Sequence, residues 1–95
     1  MMLKVYVDWE RHEILTEEQF EEEVDGLVQN IKSDSREYDG RLYMFLEEKR
    51  IDAVDLFYMT EADKVALRKE YEEWLVKDSK AQLLDGEFEK VELNL

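Results

Sequence analysis

Leu3-Lys4-Val5-Tyr6-Val7-Asp8-Trp9-Glu10 opens the chain with an apolar residue at every second position. Successive side chains of an extended segment point to opposite sides, so Leu3, Val5, Val7 and Trp9 share one face. Lys4, Tyr6, Asp8 and Glu10 take the other. Residues 2–9 therefore read as a strand with one apolar side. The far end repeats the pattern: Val91, Leu93 and Leu95 alternate with Lys90, Glu92 and Asn94, which predicts a strand over 87–94. Glu10-Arg11-His12 reads as a turn, after which Glu13-Ile14-Leu15 pairs back as a short second strand. Strands at both termini with helical sequence between them predict the α+β class. The expected architecture is a small antiparallel sheet formed by the N- and C-terminal strands, packed on one face by three to four helices. The side carrying Val5, Val7, Trp9, Val91 and Leu93 is the one expected under the first and last helices.

Between the strands the period changes. Thr16-Glu17-Glu18-Gln19 has capping-box form, and Phe20, Val24, Leu27, Val28 and Ile31 follow at helical spacing. This predicts a helix from Glu17 to about Lys32. Gly26 lies inside it and costs about 1 kcal/mol against Ala, which a tight crossing by another element would explain. Tyr38, Leu42, Phe45 and Leu46 predict a second helix over 36–49, with Asp39-Gly40 weakening its first turn. Asp52 can cap a short helix carrying Val54, Leu56 and Phe57. Thr60 caps the last helix, whose stripe is Leu67, Tyr71, Trp74 and Leu75. Asp85-Gly86 is a hairpin signal, which leaves 81–84 either a strand partner for 87–94 or the frayed end of the last helix. The expected core is Trp9, Phe20, Val24, Leu27, Leu42, Phe45, Leu67, Tyr71 and Trp74.

The 95 residues make one domain of modest core, and no proline, repeat or low-complexity stretch divides them. An aromatic share of 12% separates the chain from disordered acidic tails. It has no cysteine, so it lacks both disulfides and thiolate metal ligands. Lys4, Asp8 and Glu10 interrupt any leader-like apolar run, and nothing approaches the roughly 18 apolar residues of a membrane span. The expected compartment is the cytoplasm.

No motif carries a specific chemistry. His12, the sole histidine, sits in the turn between Arg11 and Glu13 and reads as an exposed turn residue. Ser35-Arg36-Glu37-Tyr38-Asp39-Gly40 places glycine sixth, as a calcium loop of EF-hand type requires. Position one is Ser35 and position twelve is Leu46, so the bidentate acid is missing and the loop is rejected. Glu21-Glu22-Glu23, Glu47-Glu48 and Glu72-Glu73 supply paired carboxylates, but all fall on or near polar helix faces. The expectation is a protein that is not an enzyme, with no catalytic residue, no metal and no cofactor.

Charge is the informative property. Twenty-six acids against thirteen bases give a net charge of −13, which disfavours direct binding to nucleic acid or anionic membrane and favours a basic protein surface. The excess is uneven. On the first helix Glu18, Glu22 and Asp25 stand at i, i+4 and i+7, surrounded by Glu17, Glu21 and Glu23, with Lys32 as the helix's one base. Like charges at this spacing destabilise a helix by a few tenths of a kcal/mol each. The last helix instead mixes Lys64, Arg68, Lys69 and Lys77 with its acids. Acidity that serves only solubility explains the charge equally simply. A second candidate is the dense apolar run Ala53-Val54-Asp55-Leu56-Phe57-Tyr58-Met59. If Phe57, Tyr58 or Met59 is exposed, it makes a protein-binding patch or a homodimer contact.

Val5-Tyr6-Val7-Asp8-Trp9-Glu10 followed by Ile14-Leu15-Thr16-Glu17-Glu18 resembles the start of small acidic orphan proteins encoded on phages, plasmids and integrated elements of Gram-positive bacteria. Asp55-Leu56-Phe57-Tyr58-Met59-Thr60-Glu61 is similar to their middle segment. The shared features are structural, and no activity or site residue comes with them. The resemblance implies a mobile-element context, where small acidic proteins often bind host proteins, including restriction or CRISPR nucleases. The leading expectation is a non-enzymatic protein that binds a basic surface on a protein partner. Its candidate contacts are Glu18, Glu22, Asp25, Phe57, Tyr58 and Met59. The alternative is a DNA mimic that inhibits a host nucleic-acid-binding protein, its carboxylates standing in for phosphates.

Overall fold

The structure, a computed structural model, describes residues 2–94. The chain is α+β. Strands β1 (Met2–Asp8), β2 (Glu13–Thr16) and β3 (Glu89–Asn94) form an antiparallel sheet in the order β2-β1-β3. Helices α1 (Glu17–Ser33), α2 (Ser35–Glu48), α3 (Ala53–Tyr58) and α4 (Glu61–Gly86) separate β2 from β3. The two terminal strands pair directly, with Val5 opposite Val91 and Leu3 opposite Leu93. Leu95, which the alternation also assigned to the last strand, lies outside the described residues.

Local signals set the helix starts. Thr16 Oγ1 accepts the Gln19 amide at 3.2 Å, and Gln19 Oε1 accepts the Thr16 amide at 2.9 Å. Asp52 with Asp55 and Thr60 with Asp63 close the same reciprocal box on α3 and α4. Each box satisfies donors that a helix otherwise leaves open at its first turn. Asp34 caps α2 by accepting the amides of Arg36 and Glu37, so this helix begins at Ser35 despite Gly40. It ends with Arg50 at φ 57°, in the left-handed region, while the Arg50 and Ile51 amides return to Glu47 and Leu46. This is a Schellman termination with arginine where glycine is usual.

Asp85-Gly86 is not a hairpin. Residues 81–84 belong to α4, which runs 26 residues and ends as the Glu87 and Phe88 amides both donate to the Leu83 carbonyl. The i, i+4 row Tyr71, Leu75, Ser79 is buried, with Leu83 half-buried at its end, so the helix has a packed face almost to its terminus. β3 takes its hydrogen bonds from β1, at the opposite end of the chain, and has no need of a local partner.

Two apolar clusters hold the elements together. Tyr6, Leu15, Phe20, Val24, Val28 and Phe88 form the sheet-end cluster, in which Tyr6 stacks on Phe20 at 3.8 Å and Phe88 meets Phe20 edge-on. Ile31, Phe45, Tyr71 and Leu75 form the helical-end cluster, rimmed by Leu27, Tyr38, Leu42, Leu46, Leu67 and Trp74. α1 contributes to both. The molecule is long, 54 × 29 × 19 Å, because α4 alone spans about 39 Å at 1.5 Å per residue.

The covered side of the sheet is the opposite of the one expected. Tyr6 opposes Leu15 and Lys90, and this is the side that meets the helices. A tyrosine and two phenylalanines bury more area than the valines across the sheet, and their rings gain stacking geometry as well. Leu3, Val5, Val7, Ile14, Val91 and Leu93 therefore share the side away from α1. Trp9, expected in the core, is 65% exposed: β1 ends at Asp8 and the indole lies beyond it. Leu27, Leu42, Leu67 and Trp74 are half-buried, while Phe20, Val24, Phe45 and Tyr71 are buried as their spacing requires. Gly26 has no close crossing, since a Cβ built there meets nothing within 4 Å.

Candidate functional site

The first half of α1 carries the acidic row. Phe20 and Val24 point into the sheet-end cluster, which turns Glu18, Glu22 and Asp25 outward to solvent. The steps of four and three residues rise about 6 and 4.5 Å along the helix axis. Among the described residues no Lys or Arg nitrogen lies within 4.0 Å of these three carboxylates. Glu21, on the same helix, differs: it accepts the Lys80 ammonium of α4 at 2.6 Å. That hydrogen bond holds the Lys80 pKa above the usual lysine value. Lys32 turns to Glu72 at 3.2 Å and leaves the acidic row uncompensated.

Four of the seven acids of α4 are matched. Glu61 pairs with Lys64, Glu70 with Lys49, Glu72 with Lys32 and Asp78 with Arg41. Arg41 is well covered and also reaches Glu37, which ties α2 to α4 beside Tyr71. The Tyr71 hydroxyl donates to the Tyr38 carbonyl, and burial pushes its pKa up to about 12. Three of these pairs join α4 to other elements, and among the described residues Asp63, Glu73 and Asp85 are the acids of α4 with no base within 4.0 Å.

The aromatic candidates sit elsewhere. Phe57 and Tyr58 on α3 are 80% and 78% exposed and meet each other edge-on at 5.3 Å. Met59 is half-buried at the end of that helix. Leu56 of α3 lines a cleft of about 240 Å³ with Leu42, Tyr43 and Leu46 of α2. Tyr43, Met44 and Val54 add to the exposed apolar surface of these two helices. Leu42 and Leu46 belong to the helical-end cluster, whereas the acidic row flanks the sheet-end cluster. The two candidate surfaces are therefore separate, at different ends of the molecule.

His12 is exposed, with φ 55°, and serves the left-handed turn between β1 and β2. A cleft of about 680 Å³ lies between that turn and the end of α4 and includes Asp8, Trp9, Arg11, Leu83 and Glu87. Its buried carboxylate, Asp8, is committed to the turn: Oδ1 accepts the Glu10 and Arg11 amides at 3.1 Å each. Among the described residues no three His, Asp or Glu side chains gather closely enough to hold a metal ion, and no helix is long and apolar enough to cross a membrane.

No protein-family profile matches the chain, and no curated protein or solved structure is similar to it at a significant level. What it does must be read from its own surfaces.

One surface escaped the sequence reading. The side of the sheet away from the helices exposes Ile14 at 66% and Trp9 at 65%, with Leu3 and Leu93 also exposed. The period-2 pattern marks these residues as an apolar side but not whether that side is covered. The available signal was Tyr6 opposite Leu15, which gives β1 a second apolar side that competes for the helices.

Proposed function

We propose that this chain is a non-enzymatic acidic interaction protein of mobile-element origin that works in the cytoplasm and binds a basic surface on a protein partner. The observation that carries this reading is the contrast between two helices. Glu18, Glu22 and Asp25 of α1 are exposed in one row with no Lys or Arg nitrogen within 4.0 Å among the described residues, whereas four of the seven acids of α4 have an intramolecular base. An uncompensated row keeps its full field for a partner's Lys and Arg, which raises the rate of encounter. Phe57 and Tyr58 supply a second, apolar contact at the other end of the molecule.

The alternative, a DNA mimic that blocks a host nucleic-acid-binding protein such as a restriction or CRISPR nuclease, draws support from shape. The 54 Å long axis matches about 16 steps of duplex at 3.4 Å each, and free carboxylates can engage the same guanidinium and ammonium groups that phosphates do.

The test is partner capture followed by charge reversal. Glu18→Lys, Glu22→Lys and Asp25→Lys together should weaken binding at least tenfold more than Glu72→Lys with Glu73→Lys. The association rate of the native chain should fall as salt rises past about 0.15 M, where the Debye length is roughly 8 Å. Equal, small effects from both sets would make the acidity a solubility trait and move the contact to Phe57, Tyr58 and Met59. Competition by duplex DNA for the captured partner would favour the mimic.

A further inference from the structure

We propose that the open side of the sheet is a homodimer interface, in which two copies pack this face against each other as a two-sheet sandwich. The face is built by register. Leu3, Val5 and Val7 of β1 lie across from Leu93, Val91 and Glu89 of β3, and Val5 and Val7 lie across from Thr16 and Ile14 of β2. Trp9 lies past the end of β1, where its Nε1–H donates to Glu89 Oε2 at 2.6 Å, at the border between this side and the cleft toward α4. Among the described residues α1 and Phe88 pack on the Tyr6 side, and on this side Val5 and Val7 are only 8% and 7% exposed, so Leu3, Ile14, Leu93 and Trp9 are what it shows to solvent. Charged residues make up 41% of the chain, yet among the described residues of the three strands this face carries one ionisable side chain, Glu89, and that carboxylate is engaged by the indole.

The occupant follows from chemistry and area. A basic partner of the kind that suits α1 would bring its cations against Val, Ile and Leu, where they would lose water without gaining a counter-charge. The matching surface must be flat and apolar, and this face matches itself. The exposed portions of Leu3, Trp9, Ile14 and Leu93 amount to roughly 430 Å² per copy, so a twofold pair that covers them buries about 860 Å², and the rim around them supplies the rest of the roughly 1,000 Å² a specific interface must reach. Stacked sheets sit about 10 Å apart with strands within roughly 30° of each other, a geometry that two alternating, apolar faces of the same twist permit. Packed this way, both helical layers are outermost. The α1 acids of the two copies then lie on the far side of each sheet from the interface, which moderates repulsion between two chains of net charge −13. The inference stands apart from the proposed binding of a basic partner, because it uses the opposite side of the sheet from α1.

Sedimentation velocity on the full chain tests it, with Trp9 fluorescence as a second readout. The native protein should sediment as a species of twice the 11.5 kDa chain mass at about 100 µM. Its emission should shift to the blue as concentration rises. Ile14→Lys and Leu93→Lys alter exposed positions, so each should keep the native circular dichroism while weakening the dimer by roughly 30-fold or more, as loss of an interface hot spot does. If one variant unfolds, the other decides. Lys90→Glu with Glu92→Lys, on the Tyr6 side of β3, should leave the dimer intact. Because the copies repel at long range, raising salt from about 0.05 to 0.5 M should tighten the dimer, the reverse of its effect on a basic partner. A chain that stays monomeric, a folded Ile14→Lys or Leu93→Lys that dimerises as well as the native protein, or a dimer that salt dissociates would each overturn the proposal. A dimer lost only through Lys90 and Glu92 would place the contact on the β3 edge and overturn it too.

Discussion

The indole of Trp9 is hydrogen-bonded to the carboxylate of Glu89, joining two residues 80 positions apart at the end of β1 and the start of β3. The contact closes the sheet where the chain leaves it for the turn. It also fixes Trp9 outside the core, with most of its ring in solvent. Trp9→Ala should therefore cost about 1 kcal/mol in dilute solution, the scale of one partly exposed hydrogen bond, and not the 3–5 kcal/mol of a buried aromatic. Chemical denaturation of the variant beside the native chain measures the difference.

Phe45 is the aromatic whose loss should be severe. It is almost wholly buried, and it packs against both Tyr71 and Trp74. Phe45→Ala should cost about 3–5 kcal/mol, a large share of what a domain this small has. Trp74 is half-buried and donates to Glu48 at the rim, so Trp74→Ala should cost clearly less than Phe45→Ala. The order of the two melting temperatures checks the placement of the helical-end cluster.

Tyr71 predicts alkaline sensitivity. Its pKa stands at about 12 in the fold against 10.0 in an unfolded chain, first because burial disfavours the phenolate. The unfolded chain thus loses this proton first. The stability tied to Tyr71 is whole below pH 10 and is lost as pH rises from 10 through 12, by up to about 2–3 kcal/mol. Tyr71→Phe should remove that part of the pH dependence while costing about 1 kcal/mol at neutral pH for the hydrogen bond to Tyr38. Denaturation curves of both proteins between pH 8 and about 12 isolate the effect.

Two substitutions should stabilise the fold. Gly26 sits mid-helix with open space at its Cβ position, so Gly26→Ala should add about 0.5–1 kcal/mol. Arg50 holds the left-handed residue after α2, where a side chain is strained, so Arg50→Gly should add a similar amount. Thermal unfolding reads both. A loss at Gly26 would mean that the notch is occupied in the working molecule.

The elements themselves were legible because their signals are local. Thr16 with Gln19, Asp52 with Asp55 and Thr60 with Asp63 each act within one helical turn, so their spacing alone places the helix starts. The alternation in residues 3–9 and 90–94 likewise marks strands, and pairing the two termini follows from their shared need for a partner. The outward row Glu18, Glu22 and Asp25 is legible for the same reason, since Phe20 and Val24 leave the acids no other side. At Asp85-Gly86 a local hairpin signal lost to packing along Tyr71, Leu75, Ser79 and Leu83, because the strand that follows found β1 instead.

By itself the sequence determined the α+β class, the helix caps, the two strand-forming ends and the exposed acidic face of α1. Only the tertiary structure decided which side of the sheet the helices cover. A strand's period separates its two sides but assigns neither to the interior. That choice went to the side where Tyr6, Phe20 and Phe88 could pack their rings together, and it left Ile14 and Trp9 facing outward. The pairing of Lys80 with Glu21 and of Lys32 with Glu72 was equally a matter of tertiary placement. Which carboxylates stay unpaired depends on where distant helices bring their lysines, and no spacing along one helix contains that distance.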